Sequence, residues 1–165
     1  MVDLSKLKGL GGWLILVGLG LCLSPFSWLS SLSQDDHLIR NGPGNRLSDP
    51  AISLHPAVYP AHLKFELVGN VVLLAANVCL LYLFFMERRA FPRYYVLFLF
   101  AFMIFTALDY AIGFYTYWTA SGALKQELDE VLSGQEFGVA RAALTAIIWG
   151  LYITKSKRVK ATFVN

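Results

Sequence analysis

The stretch Tyr94–Leu124, YYVLFLFAFMIFTALDYAIGFYTYWTASGAL, holds a single charged residue, Asp109, near its middle. It is longer than the roughly 20 residues an α-helix needs to cross hydrocarbon. A carboxylate near the centre of a spanning helix costs at least ~2.5 kcal/mol on insertion scales, so it turns toward protein and takes a partner. The stretch thus implies both a membrane-embedded chain and a polar place inside it.

Working outward, the same pattern recurs. Of the 165 residues, 56% are hydrophobic and only 15% charged, more apolar than soluble domains are. Four blocks approach or exceed spanning length: Leu10–Leu32, Leu67–Met86, Tyr95–Trp118 and Phe137–Thr154. What remains is too short for a separate soluble domain, so one transmembrane domain is expected over residues 1–165. The first block follows Lys6 and Lys8 as a signal peptide would, but no small-x-small cleavage pattern follows Leu23. A lipoprotein reading of Cys22 is disfavoured because Leu21 stands where a small residue is needed. The block is read as a retained helix, kinked near Pro25, whose ring opposes the carbonyl of Leu21. Cys22 and Cys79 lie inside apolar blocks and behave there as small hydrophobes.

Four spans put both termini on one side. That side carries Lys6, Lys8, Arg88, Arg89, Arg93, Lys155, Lys157, Arg158 and Lys160, nine cations. The other carries four, Arg40, Arg46, Lys64 and Lys125. Positive residues mark the cytoplasmic face, so an N-in, C-in arrangement is expected. The tail cations Lys155, Lys157, Arg158 and Lys160 follow a span directly and suit anionic lipid headgroups. Nucleic-acid binding is not expected.

The segment Ser33–Phe65, with its Asn41-Gly42-Pro43-Gly44-Asn45 cluster and Pro50, Pro56 and Pro60, reads as an irregular external loop with room for one short interfacial helix. His37, His55 and His62 all fall in it. Spread through a proline-rich loop, they read as exposed side chains rather than metal ligands, and neither a metal nor a cofactor is expected.

Each block carries a polar or small stripe at helical spacing. The third has Thr106, Asp109, Gly113 and Thr116; the fourth has Arg141, Thr145, Trp149 and Tyr152. The second has Glu66, Asn70 and Asn77, and the first a Gly20-x-x-x-Ser24 seam that allows close helix approach. Turning these faces inward gives an all-α, integral membrane four-helix bundle. At 1.5 Å rise per residue, Asp109 lies about 4 Å outward of its span midpoint, Arg141 about 7 Å, Asn70 about 10 Å and Glu66 about 16 Å. Arg141 then bridges Asn70 and Asp109, with Tyr110 or a water closing the gap, while Glu66 stays at the outer interface out of reach of Asp109. Two meanings of an Asp109–Arg141 pair stay open: a device fixing helix register, or a proton or ligand site. Asn70 and Asn77 read as hydrogen-bonding contacts between helices.

The opening Lys8-Gly9-Leu10-Gly11-Gly12-Trp13-Leu14-Ile15-Leu16, followed by Leu23-Ser24-Pro25, resembles the start of a family of bacterial inner-membrane proteins known as domain of unknown function 2569. The closing Ser156-Lys157-Arg158-Val159-Lys160-Ala161-Thr162-Phe163 resembles its end, and Glu66-x-x-x-Asn70, Asp109 and Arg141 are similar to its interior pattern. The resemblance covers nearly the whole chain. It implies four spans in a bacterial cytoplasmic membrane and no particular activity.

No His-Glu-x-x-His, Gly-x-Ser-x-Gly or Gly-rich phosphate loop is present, and an enzyme is not expected. The favoured expectation is a non-enzymatic accessory or scaffold subunit with a larger membrane-protein partner. The alternative is a small oligomeric transporter, or a proton- or ligand-binding protein using the polar residues.

Overall fold

Each apolar block forms a helix, and most of the helices outrun their blocks. The computed structural model describes residues 9–41, 58–119, 125 and 135–164. Among these, α1 spans Trp13–Asn41, α2 Val58–Phe85, α3 Phe91–Thr119, α4 Gln135–Lys155, and a single-turn α5 Lys157–Thr162. The first four contain stretches of 19 to 29 residues apolar enough to cross a membrane. The chain is all-α over the described residues, an antiparallel bundle in which α1 packs on α2, α2 on α3 and α3 on α4.

The expected irregular loop is narrower than Ser33–Phe65. Helix α1 continues to Asn41, and α2 begins at Val58. A helix satisfies its own backbone hydrogen bonds, so leaving hydrocarbon does not end it. It needs a breaker, and none precedes Gly42-Pro43. Pro60 sits in the first turn of α2, where its missing N–H would have no intrahelical partner. Residues 42–57 lie outside the described residues.

Pro25 is also inside a helix. It removes the amide that would bond the Leu21 carbonyl, and Ser24 Oγ donates to that carbonyl instead, at 3.2 Å. Asn77 Nδ2 of α2 in turn donates to Ser24 Oγ at 2.7 Å. The proline defect is thereby repaired from the neighbouring helix and ties α1 to α2. The expected seam takes a different form from Gly20-x-x-x-Ser24, because nothing stands within 4 Å of where a Cβ on Gly20 would be. Close approach occurs at Gly18, against the Phe84 ring, and at Gly69, against Phe105.

A tight turn over Met86–Ala90 joins α2 and α3. Arg88 N–H bonds Leu83 O at 3.0 Å, and Glu87 adopts a left-handed φ of 49°, a C-terminal cap that glycine more often supplies. Phe84, Phe91 and Phe163 cluster beside this turn, with Phe91 and Phe163 stacked at a centroid distance of 4.6 Å. Phe91 and Leu14 are fully buried there. The outer surface is the reverse of a soluble protein's: Phe26, Val72, Leu97, Ile104 and Ile148 are exposed. Contiguous apolar surface of this kind belongs against lipid.

The two chain ends meet at this same end of the bundle. Gly9 N–H donates to Thr162 Oγ1, and Thr162 Oγ1 donates to Gly9 O, each at 3.2 Å. Arg158 lies against Gly11, where a Cβ would come within 2.6 Å of its guanidinium. Gly12, at φ +60°, turns the chain into α1.

Candidate functional site

The polar stripes converge on a partly open cavity of about 500 Å³ lined by α1 to α4. Its charged end, at the far end of the bundle from the chain termini, carries Glu66, Asp109 and Arg141. Asn70 and Asn77 stand further along, and the other end is walled by Leu16, Leu99, Phe102 and Trp149. Helical periodicity explains the convergence. Glu66, Asn70 and Asn77 share one face of α2, Thr106 and Asp109 one face of α3, and Arg141, Thr145 and Trp149 one face of α4. Helix α1 contributes Gly20, Ser24, Ser27, Trp28 and Ser31. The small α1 side chains leave the cavity its room.

The expected Asp109–Arg141 pair is not formed. His62 Nε2 donates to Asp109 Oδ1 at 2.8 Å, while Arg141 is an exposed residue of α4 on the cavity's lining. His62 itself is a correction. It is a buried residue on α2, 9% exposed, rather than an exposed loop side chain. His37 falls on α1, and His55 lies outside the described residues.

Depth counted separately in each block misplaced Glu66 relative to Asp109. The turn at Met86–Ala90 fixes the α2–α3 register instead. Counted from Arg88, Glu66 and Asp109 are almost equally far along their helices, so both reach the same level. A nitrogen of His62 and one carboxylate oxygen each from Glu66 and Asp109 all lie within 4.8 Å of one another. These three residues have the chemistry to hold a metal ion. Tyr110 does not line the cavity; it stacks on Phe114 at a centroid distance of 6.2 Å.

Two polar atoms near this region are covered by protein and have no hydrogen-bond partner among the described residues, Asn77 Oδ1 and Trp28 Nε1. Asn77 is completely buried, and both residues line the cavity. One is an acceptor and the other a donor. Trp28 also meets Phe102 edge-on at 5.4 Å, which holds the indole in place. Sequence reading picked out Asn77, and Ser24 as a small seam residue, but not His62 or Trp28 as part of the site. The available signals were the His62-x-x-x-Glu66 spacing and the carbonyl that Pro25 leaves at Leu21.

No curated protein and no solved structure matches the chain. The family described as protein of unknown function (DUF2569) matches residues 7–164, almost the full length, and the chain belongs to that family.

Proposed function

We infer that this chain is a membrane-embedded binding protein that holds a small amphipathic molecule in the cavity between its four helices. The observation that carries this reading is a cavity of about 500 Å³ whose apolar wall of Leu16, Leu99, Phe102 and Trp149 meets the polar side chains of Asn70, Asp109 and Arg141. A molecule with an apolar body and one polar group matches such a lining. The volume lies within the usual range for small-molecule sites, which bundles place between their helices. The ligand's apolar body packs on Leu16, Leu99, Phe102 and Trp149, and its polar group reaches toward Asn70, Asp109 and Arg141.

This favours the ligand-binding alternative over a purely scaffolding role. The Lys/Arg asymmetry supports an orientation with both termini on the cytoplasmic side, in which the charged end of the cavity faces outward. Lys155, Lys157 and Lys160 are exposed and suit anionic headgroups at the inner face, whereas Arg158 is turned onto the glycine turn.

Fluorescence quenching tests the reading. Trp28 and Trp149 line the cavity, while Trp13 and Trp118 are exposed. In a Trp13→Phe/Trp118→Phe background in detergent, a brominated medium-chain alcohol should quench the remaining indoles saturably. Thr145→Phe, which fills the cavity, should abolish the saturable component. Quenching that rises linearly and identically in both proteins would mean simple partitioning and defeat the proposal.

A further inference from the structure

His62 and Glu66 are one helical turn apart on the same face of α2, and Asp109 approaches them from α3. We propose that these three residues form a binding site for a divalent first-row transition metal ion of the Zn²⁺ class at the charged end of the cavity.

The geometry suits such an ion. Around tetrahedral Zn²⁺, with bonds of about 2.0–2.2 Å, ligand atoms stand about 3.4 Å apart. The separations found, from 2.8 Å between His62 and Asp109 up to 4.8 Å across the set, bracket that value. All three side chains come from long helices rather than loops, and none is exposed: His62 is buried, and Glu66 and Asp109 are half-buried. The ligands are therefore held in place before a metal arrives.

The donor set selects the class of ion. Two carboxylates and a neutral imidazole around a divalent cation leave no net charge, which suits a low-dielectric surrounding. Imidazole favours zinc and its neighbours, whereas magnesium and calcium prefer oxygen alone. Three protein ligands leave one position of a tetrahedron to be filled from elsewhere, as in zinc sites that bind an exchangeable group. Glu66 and Asp109 line the cavity, as does Arg141, so that position is served from the cavity. The inference goes beyond the amphiphile reading: the ion is recognised by His62, Glu66 and Asp109 whether or not an organic ligand occupies the rest of the cavity.

The test uses the full-length chain in mild detergent, with Cys22→Ser and Cys79→Ser removing both free thiols. After chelator treatment it is titrated with Zn²⁺ against a chromophoric competitor, and with Co²⁺ as a spectroscopic probe. The expected result is one Zn²⁺ per chain and intense visible Co²⁺ bands of low coordination number, neither displaced by excess Mg²⁺. Losing an outer-shell partner typically weakens a metal site about 10–100-fold. His62→Ala, Glu66→Gln and Asp109→Asn, which remove ligands outright, should each weaken binding by more than about 100-fold. Tyr110→Phe should leave it unchanged. Glu66→Gln is nearly isosteric and keeps the test valid if His62→Ala fails to fold. Unchanged stoichiometry and affinity in Glu66→Gln and Asp109→Asn, displacement by Mg²⁺, or no saturable Zn²⁺ binding by the parent would each overturn the proposal. Because the alcohol assay and the metal assay read different ligands, either reading can fail alone.

Discussion

Asn77 reaches across from α2 to Ser24 on α1 at 2.7 Å, and Ser24 passes the bond on to the Leu21 carbonyl that Pro25 leaves without an amide. The two-step relay makes a helix defect serve helix association. It yields a prediction with a specific signature. Ser24→Ala should destabilise the bundle in a detergent-to-SDS unfolding titration, by about 0.6 kcal/mol and at most about 1.7 kcal/mol, the average and maximum seen for hydrogen bonds between membrane helices. Adding Pro25→Ala restores an N–H for Leu21 O, so Ser24→Ala should cost less in that background. Equal costs in both backgrounds would mean the hydroxyl is not substituting for the missing amide.

The Phe105 ring of α3 lies directly over Gly69 of α2, where a Cβ would run into it. That ring is also held by Phe65, stacked at 5.3 Å, so it has little freedom to retreat. Gly69→Ala should therefore destabilise by about 1–3 kcal/mol, as overpacking does. Phe105→Leu should recover part of the loss when combined with it. The same unfolding titration decides the matter; a neutral Gly69→Ala would show that the two helices can part without cost.

The His62–Asp109 pair replaces the Asp109–Arg141 pair expected from sequence, and it makes an asymmetric prediction. His62→Ala leaves the carboxylate without its imidazole partner, a situation that costs up to ~3–5 kcal/mol for a buried pair. Asp109→Asn keeps a hydrogen-bonding group opposite His62 and should cost less. In the double variant the loss should fall well short of the sum. Arg141→Ala, an exposed site, should change stability little. Strict additivity of His62→Ala and Asp109→Asn would remove the pair as an interacting unit.

These residues also show what could be read from sequence. The four helices were legible because bilayer-spanning apolar blocks admit few other structures. The inward stripes were legible because helical periodicity is local, and Glu66, Asn70, Asn77, Asp109 and Arg141 do share one cavity. Pairing across helices was not legible from depth alone. Placing each block's centre at the same level ignores the fact that a hairpin is registered by its turn, which is how Glu66 comes level with Asp109. His62 was missed because its proline-rich surroundings suggested a loop, whereas Pro60 is tolerated in the first turn of α2. The role of Ser24 was hidden because it depends on a carbonyl elsewhere in the same helix and an amide on another.

Orientation follows from charge and is open to direct measurement. The end of the bundle holding Gly9, Arg88 and Thr162 carries most of the cations, so it should face the cytoplasm. Reporter fusions after Arg89 and after Lys157 should report cytoplasmic, and fusions near Gly42 and Gln126 external. A single reversed result would invert or break the topology, and with it the outward placement of the cavity's charged end.

The chain ends supply the last prediction. Gly9 and Thr162 bond each other in both directions across a separation of 153 residues, and Phe163 enters the Phe84–Phe91 cluster one residue later. The two family-like end motifs are thus halves of one structural unit rather than independent signals. Thr162 is fully buried, so Thr162→Val keeps its shape while removing the hydroxyl that serves both Gly9 groups. Gly9 O keeps a second bond, from Gly11 N–H at 2.9 Å, so the loss falls mainly on the half-buried Gly9 N–H, and Thr162→Val should cost about 1 kcal/mol. Thr162→Ser, which retains the hydroxyl, should recover most of it. Phe163→Ala should also destabilise, by about 3–5 kcal/mol for a buried aromatic ring, but through lost packing that no hydroxyl can restore. Amide exchange at Gly9 separates the two effects: Thr162→Val should release its protection, and Thr162→Ser should not. If protection at Gly9 survives Thr162→Val, the ends are held together by the Phe163 cluster alone.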